Sequence, residues 1–174
     1  MIRKGTLPTG DQSRLNQHYQ EVAEGLWQRF KEIVLVRKQL ENYVFMPEAN
    51  AEAGPNKWLD HLGKDERQVQ LLATELTLRA FQLGVEAINY KILVHLKKER
   101  TVAISTLADL TGLPELLIGE RVNGLAQIGL ALRSIENDQV EATVLTDSLL
   151  GIIEVAAEEL SNNIQDRLPE IIRK

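Results

Sequence analysis

The sequence predicts a mainly α-helical protein in which a helix-turn-helix unit and a two-stranded β wing lie between long N- and C-terminal helices. Three observations carry that reading. Within Val102–Thr146, two short segments with helical apolar spacing are separated by Gly112 and reopened by Pro114. Two β-prone runs, LALRS and VEATVLT, follow on either side of the polar IENDQ, which suits a hairpin. Apolar residues also recur every three or four positions at both ends of the chain. The chain divides accordingly into 1–64, a long helix and its connection; 65–146, the helix-turn-helix and wing; and 147–174, a final helix.

From Ser13 to Met46, Leu15, Tyr19, Val22, Leu26, Phe30, Ile33, Leu40 and Val44 form one helical stripe. Trp27, Val34, Leu35 and Val36 widen it beyond what a lone surface helix carries, so it needs a partner, either the rest of its own domain or a second copy. EIVLV could instead be a buried strand, although helix formers flank it. Pro47 closes the element, and PEANAEAGPNKWLDHLGKDE has the composition of a connection, with KWLDHL expected to tuck Trp58 and Leu59 against the core. Asp65 is positioned to cap a helix whose Val69, Leu72, Leu76, Ala80 and Leu83 share a face. Gly84 either separates it from a helix over Val85–Glu99, with Ile88, Ile92, Leu93 and Leu96 inward, or lies inside one continuous helix at a cost of about 1 kcal/mol.

The next helix is expected to begin at Ser105, with Leu107, Ala108 and Leu110 on its apolar face and small Ala108 admitting a close crossing. Gly112 can take the positive φ of a tight turn. Pro114 at a first helical position loses nothing by lacking an amide hydrogen. Ile118, Val122 and Leu125 then point inward, and Gly129 stops the helix. After the wing, Asp147 is expected to cap a helix whose Leu149, Leu150, Ile153, Ala157, Leu160, Ile164 and Leu168 repeat every three or four residues, with Pro169 where it should fray.

Leu107, Ala108, Gly112, Leu113, Ile118, Val122, Leu125, Gly129 and Leu130 fill without a gap the structural positions of a known pattern. Through them the chain resembles the winged helix-turn-helix regulators, most closely the MarR (multiple antibiotic resistance regulator) type. The resemblance spans about residues 85–165 and takes in INYKILVHLKKERTVAIS as the preceding helix and short strand. It implies a homodimer joined through the terminal helices, setting two second helices about one DNA turn apart. The implied contact face is Pro114, Glu115, Leu116, Leu117, Gly119, Glu120, Arg121 and Asn123, with Arg133 and Ser134 on the wing and Lys97, Lys98 and Arg100 as candidates for backbone phosphate.

The departures from the pattern lie on that face. The family usually places small hydroxyl residues and an arginine there, whereas this chain has Pro114, Glu115, Leu116, Leu117, Gly119 and Glu120, and sets Arg121 where the family is usually apolar. Between Ser105 and Thr146, Arg121 and Arg133 stand against Asp109, Glu115, Glu120, Glu136, Asp138 and Glu141, a balance of −4. Roughly six to ten phosphate contacts carry much of a typical DNA binder's affinity, and this surface is poorly equipped for them. Lys91, Lys97, Lys98 and Arg100 form the most basic cluster, but cations near a helix C-terminus also serve the helix dipole, at about 0.3–1 kcal/mol each.

Composition adds bounds. The 174 residues, 44% hydrophobic, suffice for one domain with a core, and a net charge of −5 gives no global attraction to nucleic acid or anionic membrane. The absence of cysteine excludes thiolate chemistry and disulfides and fits a reducing cytoplasm. The opening MIRKGTLPTGDQ lacks the apolar core of a signal peptide, and no run approaches a membrane span, so the chain is expected to be cytoplasmic. His18, His61 and His95 have no partner at the spacing of a zinc face, and Asp60 beside His61 does not make a triad. GERVNG lacks the Lys-Ser/Thr ending of a phosphate loop. No enzyme, metal or cofactor is expected. Trp27, Trp58, Phe81 and Tyr90 could line a cavity for an apolar small-molecule effector, although aromatics at helical spacing are ordinarily core.

Two functions of different class follow. One is a MarR-like transcriptional regulator binding duplex DNA as a dimer, ranked narrowly first on the scaffold. The other is a protein-interaction module, an adaptor or subunit, whose acidic and apolar second helix meets a protein partner; it accounts for the departures.

Overall fold

Nine elements are built from residues 9–43 and 62–172, the residues described in the computed structural model of the chain. They run α1 (Thr9–Tyr43), α2 (Glu66–Val85), α3 (Ala87–Glu99), β1 (Thr101–Ala103), α4 (Ile104–Thr111), α5 (Glu115–Gln127), β2 (Ala131–Ser134), β3 (Gln139–Ala142) and α6 (Val144–Ile172). The stop expected at Pro47 and the turn carrying Trp58 and Leu59 fall outside the described residues. No helix among the described residues is long and apolar enough to cross a membrane.

α1 is continuous through EIVLV, which is therefore helix and not strand. Asp65 caps α2 as expected, its carboxylate accepting from the amides of Arg67 and Gln68 at 3.0 and 3.3 Å. The break between α2 and α3 corrects the sequence reading. It falls at Glu86, whose ψ of 132° leaves the helical region, while Gly84 lies inside α2. Gly84 is needed for a close approach instead, because a Cβ there would meet Leu149 Cδ1 at 3.0 Å. Breaking the helix frees carbonyls that must find donors, and the buried Asn89 supplies one, its amide donating to the Leu83 carbonyl at 2.8 Å.

In the helix-turn-helix, Gly112 ends α4 at φ +70° and returns its amide to Ala108. Pro114 stands one residue outside α5, as its N-cap. Ile118, Val122 and Leu125 are fully buried, and Gly129, at φ +80°, turns the chain into the wing. The sheet is also more than the expected two-stranded wing. The β2–β3 hairpin is joined by β1, giving three antiparallel strands in the order β1-β3-β2, with Val102 opposite Val140 and Arg133 opposite Val140 on the other side. β1 pairs because β3 would otherwise leave a row of backbone groups unsatisfied.

VEATVLT does not continue as strand to its end. Thr143 and Thr146 cap α6 reciprocally, each backbone amide donating to the other's hydroxyl, at 3.4 and 3.2 Å. Asp147, expected as the cap, therefore lies in the first turn, where its charge suits the helix dipole. The core joins Ile92, Leu93 and Leu96 of α3, Leu107 of α4, the inner face of α5, Leu130, Val140, and Leu145, Leu149 and Leu150 of α6. Pro169 is inside the last turn of α6.

α1 lies antiparallel along α6. Gly25 sits beside Leu145, Glu21 accepts from Ser148 Oγ at 2.8 Å, the His18 ring covers Gly151, and Arg14 faces Glu158 at 3.9 Å. Hydrogen bonds from Gln17 and Ser148 hold the Glu21 carboxyl below its ordinary range. An alanine Cβ at Gly151 would stand 2.5 Å from His18 Cε1. Gly151→Ala should therefore cost about 1–3 kcal/mol in chemical denaturation. In a His18→Ala background the same change should gain about 0.5–1 kcal/mol from helix propensity, and a neutral effect in the wild type would contradict this contact.

Candidate nucleic-acid or protein interface

The outward face of α5 and the adjoining wing bring together most of the residues that the sequence singled out. Ile118, Val122 and Leu125 anchor one side of α5 in the core, so Pro114, Glu115, Leu116, Glu120 and Asn123 are exposed on the other and Leu117 and Gly119 half-buried at its margins. Leu116 is 78% exposed. At the wing tip Ile135 is 91% exposed, and these two are the most exposed large apolar side chains among the described residues.

The cations of this face are held by the chain itself. Arg121 turns aside to Glu86 at the α2–α3 break, and the same carboxylate receives the Asn89 amide at 3.4 Å. Arg133 lies back across α5, its guanidinium donating to Asn123 Oδ1 at 2.8 Å and to Asp138 Oδ1 at 2.7 Å. It lies beside α5, where a Cβ on Gly119 would stand in ordinary contact at 3.7 Å from its Nη1. Ser134, beside it, is half-buried.

The phosphate candidates at the end of α3 are likewise engaged. Lys97 binds both carboxylate oxygens of Glu154 at 2.7 Å, and Arg100 binds those of Asp147 at 2.8 and 2.7 Å, so both cations face α6. Lys98 is more exposed, 3.4 Å from Glu99. These pairs lie at the surface and are worth about 0–1 kcal/mol each. Their consequence is electrostatic: a phosphate arriving at Lys97, Arg100 or the cations beside α5 meets a charge already matched, whereas Lys91 on α3 stands exposed and outside these pairs.

The aromatics do not converge. Trp27 lines an apolar groove of about 250 Å³ between α1 and α2 with Phe30, Val69, Leu72 and Leu76. Phe81 lines an adjoining depression with Tyr19 and Val22, which shares Ala23, Leu26 and Thr77 with the first, Tyr90 packs against the core, and Trp58 is outside the described residues. Among the described residues no three His, Cys, Asp or Glu side chains are grouped to hold a metal ion.

Sequence reasoning missed Glu86, Asp147 and Glu154 as the carboxylates that occupy the cations, because they lie 35, 47 and 57 residues from their partners. It also passed over Ile135, which opens a stretch read only as a polar turn.

A mainly helical chain with a small three-stranded antiparallel sheet, in this order of elements, is consistent with a winged-helix-like fold. No protein-family model matches the chain, and no curated protein matches its sequence. Among solved structures it is similar to the YusO protein from Bacillus subtilis, at 17% identity and a TM-score of 0.39, over 66% of this chain and 92% of that one. At those values the likeness carries no argument about family or activity.

Proposed function

We propose that this chain is a winged-helix-like interaction module that docks another protein through α5 and the wing, acting as a cytoplasmic homodimer without catalytic chemistry of its own. One observation carries the reading. Where a DNA reader would present free cations, Arg121, Arg133, Lys97 and Arg100 are each matched by a carboxylate of the same chain. Phosphate would have to displace a carboxylate at each of them, on a face already surrounded by Glu115, Glu120 and Glu136. An exposed leucine there gains about 1.5–3 kcal/mol on burial, which a protein partner supplies and a phosphate backbone does not.

A second reading, a MarR-like regulator binding duplex DNA as a dimer, is favoured by the scaffold. The left-handed turn at Gly112, the outward α5 and the adjacent hairpin are all in place, and surface ion pairs of this strength can open. Titration against duplex DNA at low salt separates the two. The module reading expects no binding, and it expects Leu116→Glu to abolish retention of a partner from the cell's own lysate with no change in thermal unfolding. Salt-dependent DNA binding that Arg133→Glu removes would establish the regulator instead.

The dimer is supported by α6. Beyond its contact with α1 at Glu158, Leu160, Ile164, Leu168 and Ile172 leave an exposed apolar stripe with a strict four-residue repeat. Sedimentation equilibrium should give about twice 19.6 kDa, falling to the single-chain mass in Ile164→Asp; a monomeric wild type would contradict the pairing.

A further inference from the structure

We infer that the partner segment received by α5 and the wing is a cationic amphipathic helix of another protein. The inference rests on the interaction reading above and goes further, by stating the chemistry of what is bound. At 100° per residue, Leu116, Gly119, Glu120, Asn123, Gly124 and Gln127 fall within an arc of about 140° on α5, opposite Ile118, Val122 and Leu125. Two half-buried glycines on this outward side, Gly119 and Gly124, weaken the helix relative to alanine, so their presence asks for a reason.

The fold supplies none. A Cβ at Gly124 would meet nothing within 4 Å, and one at Gly119 would make only an ordinary contact at 3.7 Å. What the two glycines do is lower the surface beside Leu116 and Asn123, leaving a shallow track along which another backbone can come close. Leu116 on α5 and Ile135 on the wing are the exposed apolar anchors that such an occupant would cover.

Charge selects the occupant. Glu115 and Glu120 stand on α5 and Glu136 on the wing, with Arg121 and Arg133 turned away into Glu86 and Asp138. A nucleic acid is repelled by that arrangement. The same acidic face of a second copy of this chain is repelled as well. A segment bearing lysine or arginine beside aliphatic residues is attracted. It binds as a helix because α5 has spent its own backbone hydrogen bonds, so an extended strand gains no ladder along it, whereas a helix presents side chains at the three- and four-residue spacing of the track.

The test uses the full chain and an 18-residue amphipathic leucine/lysine helix, with a scrambled peptide of the same composition and a leucine/glutamate counterpart as controls. Fluorescence anisotropy should show the leucine/lysine helix binding about tenfold or more tightly than the scrambled peptide, and the acidic counterpart not at all. Amide shifts in the ¹⁵N-labelled protein should concentrate in residues 115–127 and 132–138. The double charge reversal Glu115→Lys with Glu120→Lys should weaken binding about tenfold or more. Gly124→Gln, at a position where an added Cβ meets nothing within 4 Å, should do the same by filling the track.

Equal binding of the scrambled peptide, shifts spread over the whole chain or centred on α1 and α2, or wild-type affinity in both variants would overturn the inference. If Leu116→Glu abolishes capture of the natural partner while the cationic helix ignores α5, the partner chemistry is wrong and the interaction reading stands. If capture itself is indifferent to Leu116, the interaction reading falls.

Discussion

The ion pair between Glu86 and Arg121 sets both the shape and the charge of the surface that matters. Glu86 ends α2 by leaving the helical region, and its carboxylate then reaches Arg121 on α5 and the amide of Asn89, which in turn satisfies Leu83. The residue that bends the chain between α2 and α3 therefore also removes the second helix's cation from its outward face. Arg133 repeats the arrangement from the wing. By binding Asn123 and Asp138 together it seats β2 against α5 and spends its charge in doing so. What remains outward is carboxylate, glycine, the amides of Asn123 and Gln127, and the apolar side chains of Leu116, Leu132 and Ile135.

The long helices have a different logic. Their antiparallel contact is centred on small residues and local polar links: Gly25 against Leu145, Glu21 with Ser148, Gly151 beneath His18. These bring the helices close over about half of their length. α6 then runs on past Glu158 with an apolar stripe, while α1 leaves Ile33, Leu35 and Val36 exposed at its other end. A helix that keeps an exposed hydrophobic period along its last turns calls for another partner, which is why a dimer accompanies the proposed docking role.

Much of this was legible in the sequence where the determinant is local. Asp65 announced its helix, Gly112 and Gly129 their left-handed turns, and the spacing of Ile118, Val122 and Leu125 fixed which side of α5 faces out. The rest has two causes, contacts distant in sequence and a local cap that competes with strand propensity. Gly84, which the sequence leaves either as a separator or inside one continuous helix, lies inside α2 for a tertiary approach by Leu149 while the break falls at Glu86; the β-branched run after Val140, expected as strand, turns to helix through the local reciprocal bonds between Thr143 and Thr146. The pairing edge for β1 and the carboxylates Glu86, Asp147 and Glu154 that claim Arg121, Arg100 and Lys97 are made by parts of the chain far apart in sequence. At the candidate site, periodicity could place Pro114 to Asn123 on one face, yet it could not say that Arg121 and Arg133 have turned away from it.

The central claim, that the second helix and wing have no cation to offer, is tested most directly by side-chain NMR of the arginines. With ¹⁵N-labelled guanidinium groups, Arg121 and Arg133 should show hindered rotation about their terminal C–N bonds at neutral pH, as held groups do, and their resonances should stay in place when inorganic phosphate or a short DNA duplex is added. Freely rotating guanidinium groups that shift on addition of either would contradict the account.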